Sequence, residues 1–481
     1  MKRAIYNIVL VMVLGLVIGA CSKEEVSNFV VPTESILVSK PGETGTTNFD
    51  SRNITSIEVT TLPTGWVINA IDLYKGTITV TAPSSFKDDE VTEGDLVLTG
   101  YTPTGKSTTV TVYLAILPNA DIDFTGQSAN CYVVTQPNTR YKFDPFIGGE
   151  SEALETARVE LLWETRRNLI EYIDFNHGRV SFYVGNQVGD DDDAEEKLYP
   201  GNALIGAFNA EGELIWSWHI WVTNNDPMAA ENITTINGRE VMKMNLGAIS
   251  LNDGSGDEAK ILASYGLYFQ WGRKTPLPGP FTWNFTQNED ARLYNADEEL
   301  CYLAYEASTA DTGTEAWSNL NPISVILGNP ENNYNWLYSG TNDTLWSTEV
   351  KTSNDPCPRG WRVPDSSLYA NLTIAEKDDA MSWQEAQPMY GWMLKDTTTG
   401  EEHFFTAAGR RNYLDGRLDN MNTNLELPVP WSGYYWTTST DGAMATAMYF
   451  NLNTNTRTWN GFDAAHPMQR ANALPIRCVR E

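Results

Sequence analysis

The sequence is organised around two segments, Asp355-Pro356-Cys357-Pro358-Arg359-Gly360-Trp361-Arg362-Val363-Pro364 and Pro475-Ile476-Arg477-Cys478-Val479-Arg480. Between them lie two short apolar or aromatic runs that carry glycine at an end, Phe404-Phe405-Thr406-Ala407-Ala408-Gly409-Arg410 and Gly433-Tyr434-Tyr435-Trp436-Thr437-Thr438-Ser439-Thr440. Runs of this kind predict strands separated by long loops. The C-terminal part of the chain is therefore predicted to be a strand-rich domain bracketed by two cysteines.

Length and charge limit the class of protein. At 481 residues the chain is too long for one ordinary core, so roughly two to four domains are expected. The chain has 33 basic and 62 acidic side chains, a formal net charge of −29. A field of that sign repels phosphate backbones, so no nucleic-acid partner is expected. The many acids predict a solvated exterior rather than an acidic site.

The start of the chain has the pattern of an export signal. Lys2 and Arg3 precede an apolar run from Ile8 to Ile18 that is too short for a stable membrane span. Gly19-Ala20-Cys21 follows, and the whole pattern resembles the bacterial lipobox. That resemblance implies cleavage before Cys21 and lipidation of its sulfur. The alternative is an ordinary signal with a chance cysteine.

The lipobox divides the N-terminal region into two parts. Residues 1–20 are predicted to be a lipoprotein signal peptide, and residues 21–33 a lipidated tether. Ser22-Lys23-Glu24-Glu25 resembles the surface-export tag of Bacteroidetes lipoproteins, although a charged linker looks the same. The expected location is the cell outer membrane, with the protein lipid-anchored and surface-exposed.

The cysteines beyond Cys21 are expected outside the cytoplasm, where disulfides persist. Four cysteines allow three disulfide pairings, and their spacing in the sequence does not decide which of these forms. Zinc binding is the rival use, but no two of them lie closer than 56 residues in the sequence, and the chain has only 4 histidines, so no metal site is expected. The four cysteines are Cys131, Cys301, Cys357 and Cys478.

Residues 34–118 carry the pattern of a small all-β domain. The run Thr77 to Ala82 alternates strictly and puts Ile78, Val80 and Ala82 on one face. Short strands with frequent turns predict an immunoglobulin-like β-sandwich, and the segment resembles the BACON-type modules of Bacteroidetes surface proteins. That resemblance implies a spacer. Trp66 is expected in the core, with sugar stacking as the alternative.

Residues 119–240 are predicted to form a β-rich middle domain. Its strongest signal is a hairpin from Ala203 to Val222, whose tryptophans can bind glycans or, more often, fill a core. Four consecutive carboxylates interrupt the strands, and calcium is the one cofactor they suggest. They lack the spaced pattern of a known calcium loop, so a solvated hairpin tip is favoured. These carboxylates are Asp190, Asp191, Asp192 and Asp193.

Several motifs in order carry a family resemblance: Trp216-Ser217-Trp218-His219-Ile220-Trp221, Asn245-Leu246-Gly247-Ala248, the run from Tyr265 to Lys274, and the two cysteine segments. Together they resemble the Fibrobacter succinogenes major paralogous domain, preceded by the N-terminal extension of Bacteroidetes fimbrillin-like and tip-type surface lipoproteins. The resemblance spans roughly residues 125 to 481, and the domain itself is assigned to 241–481. It implies a C-type-lectin-like α+β fold, which makes the whole chain mainly β with a C-terminal α+β domain.

The resemblance also bears on cysteine pairing and on catalysis. It implies a structural bridge between Cys357 and Cys478, which leaves Cys131 and Cys301 as a possible second pair. Formylglycine-generating enzymes share the lectin-like fold and use two closely spaced C-terminal cysteines, whereas this chain has only Cys478 there. The sequence also contains no hydrolase, metalloprotease or nucleotide-binding motif, so the protein is expected not to be an enzyme.

Two binding functions remain. The first is a surface adhesion or binding protein, as a fimbria-associated or tip-type component. The alternative is a carbohydrate-binding lipoprotein of a glycan-utilisation system, suggested by 16 tryptophans and 22 tyrosines, since aromatic faces stack on sugars. The partner is expected to be a protein or glycan at the cell surface, bound by loops around residues 411 to 436. The candidate ligand-binding residues are Trp392, Trp431, Tyr434, Tyr435 and Trp459.

Overall fold

The computed structural model describes residues 28–84, 91–117, 120–176, 178–184, 186–187, 197–252, 254–283, 290–374, 390–419, 432–453 and 458–481. The chain divides into two compact units, Met1–Asp121 and Ile122–Glu481. The boundary predicted at residue 118 lies three residues from this division.

The described part of the first unit is built from nine strands and the start of a tenth. They are β1 (Asn28–Val30), β2 (Ser35–Val38), β3 (Thr44–Asn48), β4 (Asp50–Arg52), β5 (Ser56–Thr61), β6 (Val67–Asp72), β7 (Thr77–Thr81), β8 (Glu93–Tyr101), β9 (Ser107–Ile116) and β10 (Ala120–Asp123).

The first unit is a β-sandwich of the predicted immunoglobulin-like type, with two main sheets and a separate pair formed by β1 and β4. One sheet has the strand order β2-β9-β8-β5 and the other β3-β7-β6. Ile78 and Val80 of β7 are fully buried, because strict alternation turns them toward the opposite sheet. Gly45 of β3 allows a close approach, since a Cβ there would lie 2.4 Å from the Ile36 side chain. Trp66 is buried and its indole N–H donates to the Val91 carbonyl, so it is a core residue.

The second unit begins with strands that contribute to two large sheets and to one separate two-stranded pair. They are β11 (Cys131–Val134), β12 (Thr139–Phe143), β13 (Arg158–Glu164), β14 (Ile170–Asn176), β15 (Arg179–Val184), β16 (Asn186–Gln187), β17 (Lys197–Leu198), β18 (Gly201–Phe208) and β19 (Leu214–Val222).

The later strands are mostly shorter. They are β20 (Ile233–Ile236), β21 (Arg239–Met242), β22 (Phe269–Gln270), β23 (Leu293–Tyr294), β24 (Leu300–Cys301), β25 (Ala304–Glu306), β26 (Ser324–Ile326), β27 (Trp361–Arg362), β28 (Leu372–Ile374), β29 (Gly391–Asp396), β30 (Glu402–Thr406), β31 (Arg410–Arg411), β32 (Leu418–Asp419), β33 (Ser432–Asp441), β34 (Met444–Asn453), β35 (Thr458–Met468), β36 (Ala473–Leu474) and β37 (Val479–Arg480).

The described helices are short. Asp257 caps α1 (Glu258–Ser264) by accepting the N–H groups of Ala259 and Lys260, and Thr314 caps α2 (Glu315–Leu320). The 3-10 helices are Ala230–Asn232, Pro330–Asn332 and Ser366–Tyr369. Asp365 caps the last of these by accepting the N–H group of Ser367.

Two sheets of the second unit bury an aromatic layer between them. Their strand orders are β10-β12-β15-β14 and β11-β19-β18-β13-β23-β24. Phe143 of β12 contacts Tyr132 of β11 and Trp218 of β19, with ring centroids 4.5 and 5.1 Å apart. The predicted hairpin is present as β18 and β19, and Trp216, Trp218 and Trp221 are all buried. These tryptophans therefore fill the core.

The predicted middle and C-terminal domains share one core. The main core contains Trp163 and Trp221 from before residue 240 together with Trp271, Trp436 and the Cys357 side chain from after it. β21 crosses the predicted boundary and pairs with β37 at the end of the chain. The segments before and after residue 240 therefore fold together around one core, because each covers apolar side chains that the other would leave exposed to water.

The rest of the second unit consists of small sheets. Their orders are β20-β21-β37-β27, β22-β36-β31-β32, β28-β29-β30 and β33-β34-β35, with pairs β16-β17 and β25-β26. A second core lies between β29 and β30 on one side and β33 and β34 on the other. The chain is thus mainly β, as predicted, with short helices only in its second unit among the described residues. The C-type-lectin-like assignment stays a prediction.

Candidate binding surface

Cys357 and Cys478 form a disulfide bridge, as the family resemblance implies. Both cysteines are fully buried. Cys478 directly precedes β37, and Cys357 lies four residues before β27, which is the neighbour of β37 in the sheet. Trp361 of β27 is buried, with the Arg480 guanidinium 4.7 Å from its ring centroid. The bridge therefore fastens two adjacent strands far apart in the sequence.

A buried ion pair fixes the loop that carries Cys357. The Lys351 Nζ donates to Asp355 Oδ1 at 2.8 Å and to the carbonyl oxygens of Cys357 and Trp361 at 2.8 and 2.6 Å. Asp355 in turn accepts the N–H groups of Cys357 and Val363, both at 2.9 Å. The sequence alone does not point to this pair, because nothing in it distinguishes these two residues from the many acids and lysines that lie at the surface.

The possible second disulfide is not formed, because Cys131 and Cys301 are both free. They lie in β11 and β24, the two outermost strands of the six-stranded sheet. Five strand spacings of about 4.8 Å separate such strands by roughly 24 Å, whereas a disulfide needs Cα atoms about 6 Å apart. Burial raises the pKa of both thiols.

Two candidate ligand-binding residues lie in the protein interior, which corrects the prediction for them. Tyr435 and Trp392 are buried in the second core. The Tyr435 hydroxyl donates to the Thr406 carbonyl at 2.7 Å, and its ring contacts Phe405. Both side chains point to the covered face of their strands, so neither is available to stack on a ligand.

The structure describes the three remaining candidate ligand-binding residues to different extents. Trp431 lies outside the described residues, as does the side chain of Trp459, whose backbone belongs to β35. Tyr434 is half-buried on the face of β33 opposite to Tyr435, because neighbouring strand residues point to opposite sides.

Tyr434 starts a row of rings across the last sheet. Its ring centroid lies 4.9 Å from that of Tyr449 in β34, and the Tyr449 centroid lies 4.8 Å from that of His466 in β35. His466 Nδ1 lies 3.4 Å from Asp463 Oδ2. We call Tyr434, Tyr449 and His466 the aromatic ladder. All three side chains are partly exposed, and three paired strands hold them in place.

The ladder is flanked by the hairpin of β31 and β32. The Arg410 guanidinium lies 5.6 Å from the Tyr434 ring centroid and donates to Asp419 at 3.1 Å. The next residue, Arg411, points inward, where it donates to the Pro278 carbonyl at 2.6 Å and to Asp290 at 2.7 Å. The hairpin is thus anchored by one buried arginine and presents the other to the surface.

The ladder hydroxyls are neutral hydrogen-bonding groups. Burial raises the pKa of both Tyr434 and Tyr449, and the Ser432 hydroxyl and the neighbouring Arg410 act in the opposite direction. Ring surface combined with hydroxyl groups is suited to binding a partner that has both apolar and polar groups.

A buried polar cluster was missed by sequence reasoning. The Lys274 Nζ donates to the Ser217 hydroxyl at 2.8 Å and to the Ser217 carbonyl at 2.9 Å, and it lies 4.2 Å from the Trp216 ring centroid. Burial, followed by the charge of Arg273, lowers the pKa of Lys274 well below its usual range. Burial lowers the pKa of His219 to about 3. These groups connect β19 to the segment after β22 inside the core.

Other predicted sites fall outside the described residues. They are the lipidation site Cys21 and the calcium candidates Asp190, Asp191, Asp192 and Asp193. Within the described ranges no group of three or more histidine, cysteine, aspartate or glutamate side chains is placed to hold a metal ion. In the same ranges no helix has the length and apolar character needed to cross a membrane.

No family model matches the chain, and no curated protein matches it. Similar solved structures include the D00-D0 domain of intimin, at 11% identity and TM-score 0.19, covering 40% of this chain and 96% of that chain. The structure of mouse clustered PcdhgC3 EC1-3 is similar at 13% identity and TM-score 0.15, covering 41% of this chain and 67% of that chain. The SGBP-B of the Bacteroides ovatus mixed-linkage glucan utilization locus, in complex with a mixed-linkage heptasaccharide, is similar at 12% identity and TM-score 0.12, covering 41% and 44%. Likeness at these TM-scores carries no argument about function, and the Fibrobacter succinogenes major paralogous domain stays a prediction.

Proposed function

We propose that this chain is an exported, non-catalytic adhesion or binding protein, held at the bacterial outer-membrane surface by a lipid on Cys21. In this proposal it is a fimbria-associated or tip-type component. The observation that supports binding is the aromatic ladder, because its partly exposed rings are fixed on paired strands of a unit closed by a disulfide bridge. Aromatic side chains offer a large contact area at a low cost in conformational entropy.

The ladder and the hairpin beside it supply complementary contacts. Tyr434 and Tyr449 offer ring edges and hydroxyl groups, and Ser432 adds a further hydroxyl beside them. Arg410 and Asp419 form a pair at the margin, where charged groups favour specificity over affinity. The partner is a protein or glycan at the cell surface.

Attachment of cells tests this proposal. We expect deletion of the gene to lower attachment, and the double substitution Tyr434→Ala and Tyr449→Ala to lower it comparably while the protein stays at the surface. Tyr113→Ala is the matched control, since Tyr113 is an exposed tyrosine on a strand of the first unit. Unchanged attachment after deletion would remove the main support for the adhesion role.

The surface location is tested separately. Protease added to intact cells should cleave the wild-type protein, and radiolabelled palmitate should be incorporated at Cys21. With Cys21→Ser the label should be lost and the protein should no longer sediment with membranes. Label retained by the Cys21→Ser variant would refute lipidation at this cysteine.

The second candidate is a carbohydrate-binding lipoprotein of a glycan-utilisation system. The observation that favours it is the outer end of the ladder, where the His466 ring stacks on Tyr449 at an interplanar angle of 27°. Trp459 lies on the same strand as His466 and Trp431 directly precedes β33. A glycan array probed with the chain from residue 22 should show binding that Tyr434→Ala and Trp431→Ala weaken. A chain that ignores every glycan would eliminate this candidate.

A further inference from the structure

The edge of the six-stranded sheet exposes apolar side chains. β24 is last in the order β11-β19-β18-β13-β23-β24, and the described residues place no strand beyond it. Leu300 and Tyr302 point outward and are 43% and 76% exposed, whereas Cys301 and Leu303 pack against the main core. Edge strands usually carry charged residues or proline on the outside, which prevents unwanted pairing. Here the two-residue strand β24 carries Leu300 on the outside, and Tyr302 directly after the strand continues the same exposed row.

The apolar surface continues beyond β24. Tyr305 of β25 is 42% exposed, and its hydroxyl donates to Asp290 at 3.0 Å. Its ring lies against Gly416 of the neighbouring hairpin, where a Cβ would come within 2.7 Å. Leu414, in the turn of that hairpin, is 54% exposed. We call Leu300, Tyr302 and Tyr305 the edge strip.

Carboxylates lie at both ends of the edge strip. Asp297, Glu298 and Glu299 directly precede it and are exposed, and Glu306 directly follows it. Arg167 is nearby, but its Nε donates to the Glu298 carbonyl and its guanidinium lies 4.3 Å from the Tyr294 ring centroid. Arg292, which directly precedes β23, is a second exposed arginine at this edge. Four acids against two arginines leave the edge negative. A second copy carries the same acids and the same net charge of −29, so two copies would repel each other.

We propose that the edge strip docks an extended segment of a different protein, which pairs with β24 as an added strand. The outward N–H and C=O groups of an edge strand supply hydrogen bonds to such a segment. Apolar side chains at alternate positions of the segment cover Leu300 and Tyr302. Basic residues at its ends face Asp297, Glu298 and Glu299 on one side and Glu306 on the other. The edge strip shares no residue with the aromatic ladder, and the inference does not rest on the function proposed above.

Labelled peptides test the inference directly. The probes are short blocked peptides of alternating valine and threonine, one with lysine at both ends and the other with glutamate at both ends. Binding to the chain from residue 22 is followed by fluorescence anisotropy at low salt. The lysine-ended peptide should bind about tenfold more tightly than the glutamate-ended one, which is the effect of a few screened charge pairs. It should also slow hydrogen exchange at the amides of residues 300 to 302.

Substitutions locate the site. Leu300→Ser with Tyr302→Ser should weaken binding of the lysine-ended peptide about tenfold, with the melting temperature unchanged because both side chains are exposed. Tyr74→Ser is the control, since Tyr74 is 99% exposed in the first unit. Equal binding of the two peptides, binding of neither, or no effect of the double substitution overturns the inference. A dimer seen in sedimentation and dissolved by the double substitution also overturns it, by assigning the strip to a second copy.

Discussion

Removing the Cys357–Cys478 bridge should destabilise the second unit by an amount that follows from the chain length between the cysteines. The perturbation is the double substitution Cys357→Ala and Cys478→Ala, which leaves no thiol to mispair at this site. The two residues are 121 apart in the sequence. In the chain-entropy model, closing a loop of that length lowers the entropy of the unfolded state by about 16 cal/mol/K, or about 5 kcal/mol at 25 °C.

That free energy converts to a melting temperature. The second unit spans Ile122–Glu481, some 360 residues. With an unfolding entropy of about 2 cal/mol/K per residue, 5 kcal/mol corresponds to a drop of about 7 °C. Removal of two buried sulfur atoms adds a packing loss on the order of 1 kcal/mol each. Cys131→Ala is the control for that loss, because Cys131 is a buried thiol of the same core that forms no bridge.

Differential scanning calorimetry of the chain from residue 22, without reductant, measures the shift. Peptide mapping without reductant should first show the Cys357–Cys478 bridge in the parent protein. A double substitution that lowers the melting temperature by no more than twice the shift of the Cys131→Ala control would show that the bridge itself does not stabilise the unit. Free thiols at both positions in the mapping would also refute the prediction.

Three further predictions concern the second unit. Tyr435→Ala should cost about 3–5 kcal/mol of unfolding free energy in denaturant titration, because a fully buried ring is lost, whereas Tyr434→Ala should cost clearly less; equal costs would contradict the assignment of opposite faces. Burial raises the pKa of Glu164 from an ordinary 4.5 to about 7, so the folded state holds this proton where the unfolded chain has released it. The free energy of unfolding should therefore fall as pH rises from about 4.5 to about 7. In urea titrations the Glu164→Gln variant should show a fall that is smaller by on the order of 2 kcal/mol, because it has no proton to release. A variant with the same pH profile as the parent protein would count against the buried acid. Asp355→Asn should cost about 3–5 kcal/mol because it removes the buried carboxylate that pairs with Lys351, whose side chain is only 9% exposed. Adding Lys351→Met should recover part of the loss, and strictly additive costs would show that the two groups are not coupled.

Much of the strand content was predictable from local pattern. The alternation of Ile78 and Val80 predicted one buried face, and both residues are fully buried. The hairpin from Ala203 to Val222 was predictable from its turn and its two apolar runs, and β18 and β19 form it. These predictions succeed because a strand's period of two residues is a property of the local chain.

The candidate site was predictable only in part. Tyr434 and Tyr435 are adjacent, and alternation requires that they point to opposite faces, but it does not say which face is covered. Tyr435 is buried because β30 lies over its side of the sheet, where Phe405 contacts it. Tyr449 and His466 were not predicted as partners of Tyr434, because the contacts depend on the register among three strands.

By itself the sequence determined the all-β character of the first unit and the strand pattern of the second. It also determined that the cysteines lie too far apart in the sequence for a compact metal-binding motif. Only the tertiary structure decided that Cys131 and Cys301 stand at opposite edges of one sheet and cannot meet. It also decided that the segments on either side of residue 240 share one core. Tyr435 is buried in the second core, whereas Tyr434 packs against the main core and stays partly exposed. The physical reason is that backbone pattern is local, whereas burial depends on which distant strand supplies the covering surface.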